Sequence, residues 1–135
     1  MASDRICRDT NKKTVILDTN AIMMLFEFQI NLEDELTRLV GKYEIIIPLP
    51  VYNELDFLSK HGKGKKQINA KASLKLIDKY KVVYIEEKNA DDSVILVAKK
   101  TKGIVVTNDK ELKIRLKKDQ IPIIFLRSKQ KLVME

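Results

Sequence analysis

Four acidic residues, Asp18, Glu54, Asp91 and Asp109, each lie beside an apolar run, and the first and last are about 90 positions apart. Asp18 ends the β-branched run Thr14-Val15-Ile16-Leu17 and leads directly into Thr19, Asn20 and a helical segment. Asp109 follows Ile104-Val105-Val106-Thr107 with only Asn108 between them. Open parallel sheets bind ligands beyond the carboxyl ends of their strands, where strand order reverses, so carboxylates at such ends can share one crevice. Four carboxylates in one cleft repel each other and raise each other's pKa unless a cation is present. All-oxygen ligands suit Mg²⁺ or Mn²⁺, and the single His61 and single Cys7 offer no zinc-type cluster. A hard divalent ion held this way lowers the pKa of a bound water, neutralises a phosphodiester oxygen and holds an in-line geometry. The residue types therefore point to phosphodiester chemistry.

The intervening sequence supplies elements to position these residues. After a loose leader over residues 1–12, a strand runs from about Thr14 to Leu17, and helices cover Asn20 to Phe28 and Glu33 to Val40, with Gly41 as a stop signal. A second strand at Tyr43 to Ile47 ends at Pro48 and Pro50. The helix after it, Val51 to Lys60, carries Val51, Leu55 and Leu58 on one face and so projects Glu54 from an early turn. A basic, glycine-containing loop over Lys60 to Lys66 precedes a helix from about Gln67 to Lys79 and a strand at Lys81 to Ile85. A helix opened by Asn89 or Ala90 runs to about Lys100 and is closed by Gly103. The strand Ile104 to Thr107, a helix from Asp109 to Lys118 and a last strand at Pro122 to Leu126 follow, with residues 131–135 as a charged tail. Short apolar strands alternating with helices predict a parallel sheet covered on both faces, an α/β fold with five strands. No repeat or interdomain linker interrupts it, so residues 13–130 form one domain.

Composition narrows the partners. With 26 Lys and Arg against 19 Asp and Glu the chain carries a formal charge of +7, which favours an anionic partner such as nucleic acid. One cysteine cannot form an internal disulfide and no signal-peptide pattern opens the chain, so a cytoplasmic location is expected. The longest apolar stretches, Ala21 to Phe26 and Ile45 to Val51, are far shorter than the roughly 18 residues that cross a bilayer, so no membrane role is expected.

In order and spacing, Val15-Ile16-Leu17-Asp18-Thr19-Asn20, Pro50-Val51-Tyr52-Asn53-Glu54-Leu55, Ala90-Asp91-Asp92-Ser93-Val94-Ile95 and Val106-Thr107-Asn108-Asp109-Lys110-Glu111-Leu112 resemble the four motifs of the PIN domain. The resemblance covers nearly the whole chain and is nearest to free-standing archaeal PIN proteins. It implies a three-layer α/β/α sandwich and a metal-dependent nuclease, generally a ribonuclease, of the kind found among toxins of toxin–antitoxin pairs and enzymes that trim ribosomal RNA precursors. It further implies Mg²⁺ or Mn²⁺ bound by Asp18, Glu54, Asp91 and Asp109, with Thr19, Asn20, Thr107 and Asn108 in support. Asp91 is preferred to Asp92 because Val94 and Ala98 match the family's apolar helix spacing, and Asp92 stays open as the alternative. RNA is the expected substrate, and an antitoxin, a ribosome-assembly factor or a second copy of the chain are the candidate partners.

Each residue also has a plainer role open to it. Asp18, Asn108 and Asp109 can cap helices, and Glu54, Asp91 and Asp92 can sit early in helices because the helix dipole favours them there. Lys63, Lys65 and Lys66, with Lys110 and Lys113 on the last helix, can hold RNA phosphates or merely solvate the surface. Gly62 and Gly64 do not make a nucleotide-binding loop, because the third glycine and the Ser or Thr after Lys are missing. Met23, Met24, Phe26 and Phe28 suit the core or a dimer contact. Two rival functions stay open: a silent PIN-like module that binds RNA or a ribosome-assembly partner, and a structure-specific DNA nuclease.

Overall fold

Val15, Ile16 and Leu17 are buried in succession, as are Ile45 to Ile47 and Ile104 to Val106. A strand with no solvent face must be covered on both sides. The computed structural model, which describes residues 12–135, meets this requirement with helices on either side of one sheet. In chain order the elements are β1 (Lys13–Leu17), α1 (Thr19–Glu27), α2 (Leu32–Val40), β2 (Tyr43–Pro48), α3 (Leu49–His61), α4 (Gly64–Ile77), β3 (Lys81–Val83), α5 (Ala90–Thr101), β4 (Ile104–Val106), α6 (Lys110–Lys118), β5 (Ile123–Arg127) and β6 (Lys131–Met134). The expected leader, apart from Lys12, and Cys7 within it lie outside the described residues. No helix among the described residues is long and apolar enough to cross a membrane.

The sheet order is β3-β2-β1-β4-β5-β6, parallel throughout except for β6, which runs antiparallel to β5. The chain starts at the centre, moves outward through β2 and β3, and returns by α5 to place β4 on the other side of β1. Strand order therefore reverses between β1 and β4, where Val15 pairs with Ile104, Ile16 with Val105 and Leu17 with Val106. That adjacency puts the positions after Leu17 and Val106 side by side.

Local sequence accounts for most helix ends. Asn31 caps α2 by accepting from the Asp34 amide, Glu33, Asp34 and Glu35 fill its positive first turn, and Gly41 ends it at a φ of +79°. The end of α5 departs from expectation: Lys102 takes the left-handed conformation (φ 53°), and Gly103 serves close packing instead. A Cβ on Gly103 would lie 2.6 Å from Ile16 Cδ1 and 2.9 Å from the Thr14 carbonyl oxygen, so only glycine lets this turn approach β1.

Three further expectations are corrected. The sheet has six strands rather than five, because residues 131–134 of the expected tail form β6, with Leu132 fully buried. The turn into β6 places Ser128 and Lys129 at positive φ, a conformation usually written Asn-Gly or Asp-Gly, so its sequence carries no hairpin signal. Pairing across the fold compensates: the Leu132 amide donates to Glu35 Oε1 (2.8 Å) and Arg38 Nη2 donates to the Leu132 carbonyl (2.7 Å), which closes the outer edge of β6 at this residue. The basic loop is far shorter than Lys60 to Lys66, since α3 extends to His61 and α4 begins at Gly64. The third strand ends at Val83 rather than Ile85, which releases Tyr84 from the sheet. Of the apolar residues near α1, Met23, Met24 and Phe28 pack against the core and Phe26 is exposed.

The Gly103 contact yields a test. Gly103→Ala is expected to destabilise the protein by about 2 kcal/mol or more, because a backbone carbonyl cannot swing away as a side chain would. Lys102→Gly, at a position that needs positive φ, is expected to raise stability by about 0.5–1 kcal/mol. Urea denaturation of the two variants measures both changes.

Candidate active site

Asp18 is the first residue beyond β1, and its amide still reaches the Val106 carbonyl at 3.5 Å, the last rung of the β1–β4 ladder. Its side chain then turns back to cap α1: Oδ1 accepts from the Ala21 amide at 2.7 Å. Oδ2 accepts from the Thr107 hydroxyl at 2.6 Å. Thr107 is fully buried and its oxygen also accepts from the Asp109 amide at 3.0 Å. A hydroxyl has one hydrogen, and here it points at Asp18. Through this single hydroxyl the end of β1 and the start of α6 are locked together.

Asp109 caps α6, with Oδ1 accepting from the Leu112 amide at 3.0 Å. Asn108 faces the other way and clamps β5, donating to the Leu126 carbonyl (3.1 Å) and accepting from the Leu126 amide (2.7 Å). Glu54 comes from α3 and its Oε1 accepts from the Thr19 hydroxyl at 2.5 Å, which ties α3 to the first turn of α1. Asn20, beside Thr19, is exposed.

The two adjacent aspartates at the start of α5 separate. Asp92 receives Arg115 Nη2 from α6 at 2.5 Å, while Asn89 caps the helix by accepting from the Asp92 amide. Asp91 instead feels the charges of Asp109 and Glu54, and burial, ahead of those charges, pushes its carboxyl up. Asp18, only 4% exposed, is pushed up to about 7, chiefly by burial and also by the charges of Asp91 and Asp109, against the lowering effect of its two hydrogen bonds. Asp18, Asp91, Asp109 and Glu54 thus belong to one electrostatic cluster, although among the described residues no group of three or more Asp, Glu, His or Cys side chains is gathered closely enough to hold a metal ion. An open, all-oxygen set with buried negative charge fits a magnesium-like ion, which keeps several waters and takes only one or two carboxylates.

The basic residues fare unevenly. Lys63 and Lys66 are exposed around the start of α4, and Lys110 is exposed on the first turn of α6. Lys65 is paired with Glu27 at 3.1 Å. Lys113 is engaged elsewhere, 4.2 Å above the Phe125 ring and 3.8 Å from Glu135, and Lys117 also pairs with Glu135. Two features went unread in the sequence: the pairing of Arg115 with Asp92, which links the successive helices α5 and α6 across β4, and Tyr84, which reading the third strand to Ile85 concealed.

Residues 15–129 match the family model described as PIN like domain. The chain is 35% identical to Ribonuclease VapC4 of Methanocaldococcus jannaschii over 86% of its own length and 92% of that protein's. It is 32% identical to Ribonuclease VapC9 of Archaeoglobus fulgidus over 100% of its length and 98% of that protein's. Among solved structures it is similar to that of the PIN domain endonuclease Utp24, with a TM-score of 0.76 and 26% identity over 93% of this chain and 92% of that one.

The buried carboxyl makes stability depend on pH. Because the folded pKa of Asp18 exceeds its unfolded value near 4, the folded state holds the extra proton between about pH 4 and 7. Its contribution is full below pH 4 and is lost as the pH rises to about 7, on the order of a few kcal/mol in metal-free protein. Asp18→Asn keeps the shape without the charge, so its thermal midpoint is expected to exceed that of the unaltered protein by several degrees at pH 7.5 and to converge with it near pH 4. Calorimetry in chelator across this range measures the difference.

Proposed function

Since this chain belongs to the PIN domain family, we propose that it is a divalent-metal-dependent ribonuclease that cuts RNA at the β1–β4 switch point. The observation that carries this reading is the buried Asp18 carboxylate, held by Thr107 and surrounded by the charges of Asp91 and Asp109. A charge placed where it is this costly calls for a cation, and the all-oxygen set around it suits Mg²⁺ or Mn²⁺. Names also support RNA as the substrate, since both curated relatives are called ribonucleases.

In this reading Asp18, with Asp91, Asp109 and Glu54 around it, holds the ion, which supplies Lewis acidity to the attacking water and to the phosphodiester oxygen when bound. Thr107 fixes Asp18 and the Asp109 backbone relative to each other, so that the two carboxylates keep their spacing as substrate enters. Thr19 does the same for Glu54. Asn108 works one step behind, keeping β5 against the β4 end. Arg115 withdraws Asp92 into a surface pair and leaves Asp91 as the α5 contribution. Lys63, Lys66 and Lys110 are exposed cations suited to the RNA backbone, and phosphate contacts of that kind make binding fall with salt. The role is that of a toxin or a ribosomal RNA processing enzyme; a toxin would require an antitoxin chain as its partner.

Asp18→Asn is expected to reduce cleavage of a single-stranded RNA by at least about a hundredfold while RNA affinity in chelator stays within about twofold. Mg²⁺ or Mn²⁺ restores cleavage to chelator-treated unaltered protein and not to the variant. Matched RNA and DNA oligonucleotides, followed on denaturing gels, test the choice of substrate. Unchanged cleavage by Asp18→Asn would sink the assignment.

A further inference from the structure

Beside the acidic cluster a cavity of about 570 Å³ opens between the start of α3 and the segment that joins β3 to α5. Glu54 lines it, so the cavity borders the candidate site at that residue. Its floor includes Pro50, and Tyr84 stands in its wall. Tyr84 is 77% exposed, directly after the short strand β3, and among the described residues neither its ring nor its hydroxyl has a partner. An open aromatic ring beside a cavity offers a flat apolar face on which a base can stack.

The lining states which part of a nucleic acid this cavity would accept. Glu54, Glu86 and Glu87 outweigh Lys88, so a phosphate group would be repelled. A nucleobase is neutral and flat, and it matches an aromatic face. Asn53 is exposed on the cavity rim, with both an amide donor and a carbonyl acceptor to offer a base edge. The Glu87 carboxylate accepts from the Lys88 and Asn89 amides at 3.1 and 3.4 Å, which holds the loop in shape without closing the cavity.

We propose that this cavity is a nucleobase subsite, in which Tyr84 stacks on an unpaired base next to the phosphodiester held at the acidic cluster, and Asn53 contacts the edge of that base. The inference rests on the ribonuclease reading and deepens it by assigning this cavity to one base, turned out of the stack of the bound strand. A duplex could not present such a base, so paired RNA binds poorly at this subsite. Stacking of this kind tolerates any base, and Asn53 supplies the preference among them.

The test uses single-stranded RNA oligonucleotides carrying 2-aminopurine at successive positions, bound to the full chain with Asp18→Asn so that no cutting occurs. One position is expected to be quenched, and Tyr84→Ala in the same background removes that quench and weakens binding about five- to a hundredfold. Tyr84→Phe and Tyr84→Trp retain both, which separates a stacking role from general damage. In the cleavage-competent chain Tyr84→Ala raises KM more than it lowers kcat. If Tyr84→Ala binds with the same affinity and the same quenched position while the unaltered protein still cleaves RNA, the subsite is overturned and the ribonuclease reading survives. RNA neither bound nor cut by the unaltered protein overturns both.

Discussion

The organisation of this protein depends on one costly placement: a carboxylate buried at the seam of two parallel strands. Asp18 sits where β1 and β4 end together, among side chains that exclude water, and among the described residues nothing positively charged is paired with it. Its hydrogen bonds to the Ala21 amide and the Thr107 hydroxyl offset part of the desolvation and leave the proton held up to about pH 7. A fold selected for stability alone would have placed an apolar residue or an asparagine here.

The remaining polar groups of the seam follow from that placement. Thr107 must be a hydroxyl, because it has to donate to Asp18 while accepting from the Asp109 amide, and a valine of similar shape could do neither. Thr19, with its hydroxyl on Glu54, extends the network to a third element. The site is therefore held by three hydrogen-bonded junctions, β1 to β4, β1 to α6 and α1 to α3, made by residues in or next to the short connections just beyond the strand ends and by Glu54 of α3.

Outside the seam the charge pattern inverts. The chain is basic overall, yet several cations that sequence position places near the cleft are occupied by neighbours: Lys65 by Glu27, Lys113 and Lys117 by Glu135, Arg115 by Asp92. Exposed pairs of this sort contribute little to stability, and they leave a smaller positive surface than the composition implies. Of the lysines expected to hold phosphates, Lys63, Lys66 and Lys110 are exposed around the starts of α4 and α6.

What the sequence by itself determined was local. Thr14 to Leu17 is a buried strand because it is β-branched and uninterrupted, Asp18 and Asp109 begin helices because their side chains cap them, and alternation of short apolar strands with helices requires a parallel sheet. Those rules led to the expectation that the acidic residues gather at one edge, and the family came from the resemblance of four motifs. Tertiary structure decided whatever depended on partners distant in the chain. Spacing favoured Asp91 over Asp92 but left both open, and the two side chains part because Arg115, 23 residues on from Asp92, reaches that one while Asp91 feels Asp109 and Glu54. The last strand exists because Glu35 and Arg38 satisfy the backbone of Leu132, nearly a hundred residues away, and its turn lacks the glycine that would have announced it. Gly103 looked like a helix stop and proved to be a packing contact with β1, since a residue's nearest neighbours in space cannot be read from its neighbours in sequence.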